Sequence, residues 1–219
     1  ITYTEIQSAL AQHGLAARGG FVPAPDDMVP GADAGRAAAV VLVGNVGSEL
    51  WPHFAPHAND GPDALDRWTQ AVIEPIALRF GARAIYPFDK PPSPFQRWAM
   101  KAESVKPSPL GILIHPEHGL WHAYRAALVF SEPVDLPERA ERPRPCDSCS
   151  AKPCLSACPV GAFSHDGYDV PACASHLGSA AGEACADSGC LARAACPIGV
   201  PYAREQSRFH MKAFHRAVS

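Results

Sequence analysis

The strongest constraint in this sequence is the position of its cysteines. All eight lie between Cys146 and Cys196, and the first 145 residues contain none. A secreted protein stapled by disulfides would spread its bridges over the chain, whereas a dense thiol segment beside a thiol-free one favours metal-bound thiolates in a reducing compartment. We therefore expect a small, loop-rich module that needs its metal to fold, preceded by a domain with another purpose.

The cysteine spacing indicates which metal centre the module holds. The first run, from Cys146 to Pro159, reads C-x2-C-x4-C-x3-C-P. The bacterial two-cluster ferredoxin run, C-x2-C-x2-C-x3-C-P, ends in the same way, and its fourth cysteine ligates the other cluster. CPVG at 158–161 and CPIG at 196–199 form an internal repeat. Eight thiols and two repeats therefore predict two four-thiolate sites.

The ferredoxin crossover rule assigns the ligands of two [4Fe–4S] clusters. One cluster takes Cys146, Cys149, Cys154 and Cys196. The other takes Cys158, Cys173, Cys185 and Cys190. Two structural zinc sites would also use four cysteines each, but such sites usually pair C-x2-C knuckles, and only one is present. A single cluster with spare thiols is the remaining alternative.

The rest of the chain predicts an α+β domain. We expect helices over 2–13, from 63 or 66 to 81 with a kink or a split at Pro75, over 94–103 and over 201–218, and strands over 38–43, 82–88, 110–116 and 120–130. Residues 132–145 are rich in proline and charge, which is typical of an extended linker. The predicted domains are 1–131 and 146–219, joined by a linker at 132–145.

Composition indicates the class of protein and the compartment that we expect for it. The chain is 47% hydrophobic and 19% charged with a formal charge of −3, which is a globular composition. No apolar run reaches the length of a membrane span and no signal peptide is visible, so we predict a cytoplasmic protein without a membrane partner. Only a basic stripe on the last helix could face nucleic acid, and we expect no such role. The stripe consists of Arg204, Arg208, Lys212 and Arg216.

The densest polar and aromatic segment of the first domain is HPEHGLWHAYRAAL, at 115–128. On a strand, Trp121 and Arg125 would face one way and His122 and Tyr124 the other. One face could then present an aromatic ring and a guanidinium to a ligand. The plainer alternative is a strand with one face in the core and some histidines in a turn. The candidate binding residues are His115, His118, Trp121, His122, Tyr124 and Arg125.

Two stretches of the chain resemble known families. GILIHPEHGLWHAYRAALVFSEPVDLP, at 111–137, resembles a segment of the cobalamin-processing proteins of the CblC type. The cysteine module resembles that of epoxyqueuosine reductase and the corrinoid reductive dehalogenases. These resemblances imply a nitroreductase-like α/β sandwich of the CblC type, followed by a bacterial dicluster ferredoxin-like module.

The resemblance also implies a function. The first domain would bind a corrinoid, with Arg125 at a thiol-substrate pocket, and a ferredoxin or flavodoxin would pass electrons through the two clusters to reduce or process cobalamin. FMN is the alternative cofactor, and a homodimer is among the expected partners because the domain is short. The rival prediction is a dicluster electron carrier to a partner enzyme, without a substrate site of its own. A closed core beside Trp121 and Arg125 would favour this rival.

Overall fold

The computed structural model describes residues 1–31, 37–59, 61–164 and 167–218. The helices in these ranges are α1 (Tyr3–Ala11), α2 (Trp51–Phe54), α3 (Ala64–Arg79), α4 (Phe95–Ala102), α5 (Pro145–Ser148), α6 (Pro153–Ser156), α7 (Val170–Leu177), α8 (Glu183–Ser188), α9 (Leu191–Ala194) and α10 (Arg204–Val218). The strands are β1 (Ala16–Phe21), β2 (Ala39–Val46), β3 (Ala82–Ile85), β4 (Lys106–Pro107), β5 (Leu113–Ile114), β6 (His122–Phe130), β7 (Phe163–Ser164) and β8 (Gly167–Tyr168).

The largest sheet has four antiparallel strands in the order β1-β2-β6-β3. Strand β2 carries the β-branched run AVVLV, and its residues from Ala39 to Asn45 are buried on both faces. A strand buried on both faces must be central and covered on both sides. Helix α3 packs against β3 and β6, while α1 and α4 pack against β1. The predicted α+β class and the strand at 38–43 are confirmed; the nitroreductase-like sandwich stays a prediction.

The predicted helices form, with one correction. Thr2 caps α1 through a capping box, since its hydroxyl accepts from Glu5 N and the Glu5 carboxylate accepts from Thr2 N. Helix α3 runs unbroken through Pro75, so the predicted split there was wrong. Pro75 is exposed on α3, and the buried face of the same helix packs against the sheet. Tertiary packing therefore offsets the loss of the helical hydrogen bond that proline, which has no backbone N–H, cannot donate.

Strand β1 was not predicted. Its sequence AARGGF has two glycines and an arginine, and none of the alternation that marks a half-buried strand. A bulge between Ala17 and Gly20 interrupts its register with β2. Its charged member, Arg18, is buried with 3% exposure.

The chain divides into two compact units. The sheet unit comprises 1–59, 63–104 and 122–142. The cysteine unit comprises 105–121 and the segment from Pro143 onward, with a short piece at 61–62. The sequence analysis assigned 105–121 to the first domain, and the roles given to the predicted domains stay predictions.

Three predicted strands are shorter in the structure. Of the stretch 110–116 only Leu113–Ile114 is a strand, and it pairs with β4. Strand β3 ends at Ile85, before Pro87. Strand β6 begins at His122, so Trp121 lies before the strand and outside its alternation of faces. His115 and Gly119 close a tight turn through reciprocal backbone bonds of 2.8 and 3.0 Å, which ends the extended segment early.

Candidate metal centre

The eight cysteines are all free thiols, and Cys185 is the one that is buried. Burial raises the pKa of the Cys146 thiol, the Arg144 guanidinium opposes this, and the nearby sulfurs of Cys196 and Cys149 raise it further. Burial likewise raises the pKa of Cys154, with further increases from Cys196, Cys146 and Cys149. Four thiols thus lie within electrostatic reach of one another.

The other four thiols form a second set. Burial raises the pKa of Cys185, a backbone N–H lowers it, and the sulfurs of Cys158 and Cys173 raise it. Burial also raises the pKa of Cys190, two backbone N–H groups lower it, and Cys185 and Cys173 raise it. The pKa is raised by other thiols at four cysteines, and in each case those thiols belong to the same set as the cysteine itself. The four are Cys146, Cys154, Cys185 and Cys190. The two sets have the same members as the two predicted ligand sets, whose role as ligands stays a prediction.

The side chains that the structure describes form no single-ion site. In the described ranges, no three side chains of His, Cys, Asp or Glu come close enough together to hold a single metal ion. A zinc ion with Zn–S bonds of about 2.3 Å needs its thiolates roughly 3.8 Å apart. A cuboidal cluster has four irons between the same number of thiolates and holds them further apart. The preference for clusters over zinc therefore stays a prediction from the cysteine spacing in the sequence.

Backbone N–H groups point at several sulfurs. The N–H of Ala162, in the CPVG turn, donates to Cys158 Sγ over 3.3 Å. The first turn of α9 directs N–H groups at the sulfurs of Cys185 and Cys190. Hydrogen bonds to cluster sulfurs stabilise their negative charge and tune the reduction potential.

Tyr168 is a polar neighbour of the second set that the sequence analysis missed. Its hydroxyl is hydrogen-bonded to the Cys173 thiol, and burial together with this contact raises the pKa of the phenol. Its ring stacks on Phe163, with centroids 4.6 Å apart, and on Phe214. The signal in the sequence was weak, because Tyr168 stands five residues before Cys173 in a loop without periodicity.

One apolar cluster joins the two sets. It consists of Leu110, Ile114, Leu120 and Ala192. Thiols of the first set (Cys146, Cys154 and Cys196) and of the second (Cys158 and Cys190) pack against it. Members of both sets therefore contact the same four apolar side chains, although seven of the eight cysteines are partly exposed.

Two glycines attach the turn at 115–119 to the CPIG segment that carries Cys196. Gly119 has a φ of +58°, and a Cβ there would lie 1.8 Å from the Ile198 carbonyl oxygen. Gly199 has a φ of +84°, and its Cβ would lie 2.2 Å from the His118 carbonyl oxygen. Backbone meets backbone at this point, and only glycine permits both the approach and the conformation.

Arg193, between Cys190 and Cys196 in sequence, contacts the residues that follow the turn at 115–119. Its guanidinium lies 4.5 Å from the Trp121 ring centroid and 4.7 Å from that of Tyr202, and its Nε donates to the Leu120 carbonyl over 3.0 Å. Trp121 Nε1 is buried and has no hydrogen-bond partner among the described residues. Trp121 therefore serves the packing of the cysteine unit.

The six candidate binding residues are divided between the units. His115, His118 and Trp121 belong to the cysteine unit, and His122, Tyr124 and Arg125 to the sheet unit. The rings of His115 and His118 stack at 4.2 Å. His115 Nδ1 accepts from the backbone N–H groups of Glu117 and His118, at 3.1 Å each, which stabilises the turn.

In the sheet unit, His122 and Tyr124 belong to a buried polar network around Arg18. Arg18 Nη2 lies 2.9 Å from Glu103 Oε1, and the Tyr124 hydroxyl donates to the same oxygen over 2.7 Å. Arg18 also donates to the Asn45 carbonyl over 3.3 Å, and its Nη2 lies 3.4 Å from His122 Nδ1. Burial raises the pKa of Tyr124, and the charge of Glu103 raises it further. The network fixes these side chains in place.

A cavity of about 190 Å³ lies beside Arg125. Asp66, Pro87, Phe88 and Tyr124 also line it. Burial raises the pKa of Asp66, while the charge of Arg125 opposes this. Ligand cavities usually measure roughly 300–1,000 Å³, so this cavity is too small to enclose a corrin ring.

The basic stripe on α10 is partly neutralised. Arg204 and Arg208 both donate to the carboxylate of Asp187, next to the end of α8, with 2.7 Å from Arg204 Nε. These hydrogen bonds hold the pKa of Asp187 below its ordinary range. Of the helices in the described ranges, none has both the length and the apolar character that a bilayer crossing needs.

No protein-family model matches the sequence, and no curated protein matches it. The chain is similar to epoxyqueuosine reductase from Streptococcus thermophilus, with a TM-score of 0.49 and 12% sequence identity. The alignment covers 93% of this chain and 69% of that one.

Proposed function

We propose that this chain is an iron–sulfur electron-transfer protein that holds two [4Fe–4S] clusters. Cys146, Cys149, Cys154 and Cys196 would ligate one cluster. Cys158, Cys173, Cys185 and Cys190 would ligate the other. Each cluster, when bound, supplies one-electron transfer. The observation that carries the proposal is that eight free thiols fall into two sets of four, and members of both sets pack against one small apolar cluster.

The surrounding residues suit this role. The apolar cluster packs against five of the eight cysteines, and backbone N–H groups in the CPVG turn and in α9 stabilise thiolate charge. Arg193 adds a fixed positive charge close to Cys190 and Cys196 in the chain, which favours a more negative, reduced centre. A ferredoxin or flavodoxin is the expected donor, and a partner enzyme the acceptor.

The first experiment is an iron and acid-labile sulfide count on anaerobically purified protein, with an electron paramagnetic resonance spectrum of the reduced form. Two clusters require about eight irons and eight sulfides per chain. Stoichiometric zinc without sulfide, or disulfide-bonded cysteines, would refute the proposal.

The division of the ligands has its own test with a matched control. The double variant Cys146→Ser with Cys196→Ser removes two ligands of the same predicted set, and we expect it to keep one intact [4Fe–4S] cluster. The double variant Cys190→Ser with Cys196→Ser removes one ligand from each set, and we expect it to keep none. The opposite pattern would show that Cys196 does not cross to the first set.

Reduction or processing of a bound corrinoid is the finer function that the resemblance predicts. The cavity of about 190 Å³ beside Arg125 lends it no support, and neither do the engaged side chains of His122 and Tyr124. The carrier function is therefore the one we propose. Titration of the anaerobic protein with cob(II)alamin, or with FMN, tests the finer function. A shifted visible spectrum at stoichiometric ligand would favour it over the carrier.

A further inference from the structure

The side chain of Gln206, on α10, is a buried amide without a hydrogen bond. The residue is 0% exposed, and neither its amide nitrogen Nε2 nor its amide oxygen Oε1 has a partner in the part of the chain that the structure describes. Burial of a polar group without a hydrogen bond is destabilising, so native proteins pair nearly all such groups. A methionine would fill the same space without this cost, so the amide needs a partner that the polypeptide does not supply.

Helix α10 packs beside the second set of thiols. It contacts α7, which carries Cys173, and α8, which carries Cys185. Near the start of α10, Ser207 lies against Gly189, since a Cβ on that glycine would be 3.1 Å from Ser207 Cβ. Gly189 directly precedes Cys190 in the chain. The elements that α10 contacts therefore carry or adjoin three of the four cysteines of this set.

The face of α10 that carries Gln206 is the face turned to these elements. Residues four apart share one face of a helix, so Gln206 lies on the same face as His210 and Phe214. The Phe214 ring stacks on that of Tyr168, with centroids 6.2 Å apart, and the Tyr168 hydroxyl is hydrogen-bonded to Cys173. All of these residues belong to the cysteine unit. Gln206 is thus buried on the side of α10 that faces the surroundings of the second set.

A sulfur of an iron–sulfur cluster has the chemistry that this amide lacks in the polypeptide. Cluster sulfurs accept hydrogen bonds, and the side-chain NH₂ group of glutamine has two to donate. The amide can make a half-turn within the same space, so either terminal position can hold the nitrogen. Glutamine is also neutral, so it donates without adding a buried charge. A buried water molecule is the rival partner, and it would leave the cluster potentials independent of Gln206.

We propose that the side-chain amide of Gln206 donates a hydrogen bond to a sulfur of the cluster that the second set of thiols holds, and that it thereby raises the reduction potential of this cluster. The inference rests on the proposed function, since it requires that cluster. One-electron reduction makes the cluster more negative, and a hydrogen bond stabilises the more negative state more strongly. The amide therefore makes this cluster easier to reduce.

The test is a redox titration of the full, cluster-loaded protein, followed by electron paramagnetic resonance, for the wild type and for Gln206→Met. Methionine has nearly the length of glutamine and suits a helix, but it has no donor. We expect reduction of the second cluster to become at least tenfold less favourable, which lowers its potential by about 59 mV or more for one electron. The other potential should stay unchanged. Equal shifts of both potentials, or no shift of either, would overturn the proposal.

Two further proteins identify the cluster and the site. The double variant Cys146→Ser with Cys196→Ser, which we expect to hold the second cluster alone, shows which of the two potentials should move. A shift confined to the other potential overturns the assignment. The matched control is Gln96→Met, the same substitution at an exposed position of α4 in the sheet unit. A shift in this control as large as that in Gln206→Met would also overturn the site.

A cluster count before each titration separates the failure of this inference from the failure of the proposed function. Wild-type protein without iron and sulfide refutes the clusters themselves, whereas a fully loaded Gln206→Met with wild-type potentials refutes only the role of Gln206. If Gln206→Met does not load both clusters, Gln206→Leu is titrated in its place with the same expected shift. Loss of the second cluster in both variants would assign Gln206 to cluster assembly and overturn its role in the potential.

Discussion

The close approach of Gly119 to the CPIG segment gives the sharpest prediction about the cysteine unit. In Gly119→Ala, the new Cβ would lie 1.8 Å from the Ile198 carbonyl oxygen, whereas a carbon–oxygen contact normally measures about 3.3–3.6 Å. One backbone must therefore move by roughly 1.5 Å. Forcing extra atoms into packed structure costs about 1–3 kcal/mol. The left-handed conformation, at φ +58°, adds about 1–2 kcal/mol for alanine.

The control for this variant is Gly111→Ala in the same segment. Gly111 has a φ of +76° but nothing within 4 Å of its missing Cβ. Alanine at this position therefore incurs only the cost of the left-handed backbone conformation. The difference between the variants isolates the overlap with Ile198, which lies two residues after Cys196. A loss of 1.4 kcal/mol is a factor of ten in an equilibrium. We therefore expect Gly119→Ala to release cluster iron to a chelator at least ten times faster than Gly111→Ala.

The assay is the decay of the visible cluster absorbance after addition of an iron chelator under anaerobic conditions, with total iron counted before and after. Iron release reports on this contact directly, because Gly119 and Ile198 both belong to the cysteine unit, which holds the predicted cluster ligands. Equal release rates in the two variants would refute the reasoning that the backbone contact between 118–119 and 198–199 anchors Cys196.

Two further predictions concern single polar contacts. Tyr168→Phe removes the hydrogen bond to Cys173 and should make the potential of one cluster more negative, measured by a redox titration followed by electron paramagnetic resonance; unchanged potentials would contradict that contact. Glu103→Ala leaves the Arg18 guanidinium buried without its carboxylate, which should destabilise the sheet unit by about 3–5 kcal/mol in urea denaturation followed by circular dichroism. The double variant with Arg18→Met should recover most of that loss, and a strictly additive double variant would refute the pairing.

The fold was predictable where one physical signal dominates. The run AVVLV gave β2 because a central strand is apolar on both faces, and Thr2 with Glu5 marked the start of α1 through its cap. Strand β1 escaped prediction because its pairing comes from β2 and from buried contacts of Arg18, which local sequence does not display. The predicted split at Pro75 was wrong for the same reason, because tertiary packing stabilises α3 on both sides of the proline.

The candidate site was predictable only in part. Cysteine spacing suggested two sets of four thiols, because ligands to one centre recur at short intervals and proline follows the crossing cysteine. Tyr168 and Arg193 act through contacts that depend on loop conformation, so no spacing rule finds them. The pair Gly119 and Gly199 is invisible in sequence, since each glycine matters only through the backbone that faces it.

The segment HPEHGLWHAYRAAL explains why one apparent site can be two structural features. The sequence analysis grouped its residues as one candidate binding site, with a core strand and turn histidines as the plainer alternative, but the boundary between the compact units falls between Trp121 and His122. Trp121 packs on Arg193 and Tyr202 in the cysteine unit, with centroids of Trp121 and Tyr202 5.3 Å apart. Tyr124 instead donates to Glu103 in the sheet unit.

Substitutions on the two sides of this boundary should therefore have separable effects. We expect Trp121→Leu to speed iron release, because Arg193 loses an aromatic partner beside the loop of Cys196, and to leave urea unfolding of the sheet unit unchanged. We expect Tyr124→Phe to destabilise the sheet unit by about 1–3 kcal/mol through the lost charge-assisted hydrogen bond, with iron release unchanged. A shared corrinoid site would instead make both variants weaken cob(II)alamin binding together. That joint loss would overturn the division of the segment and restore the ligand-binding interpretation.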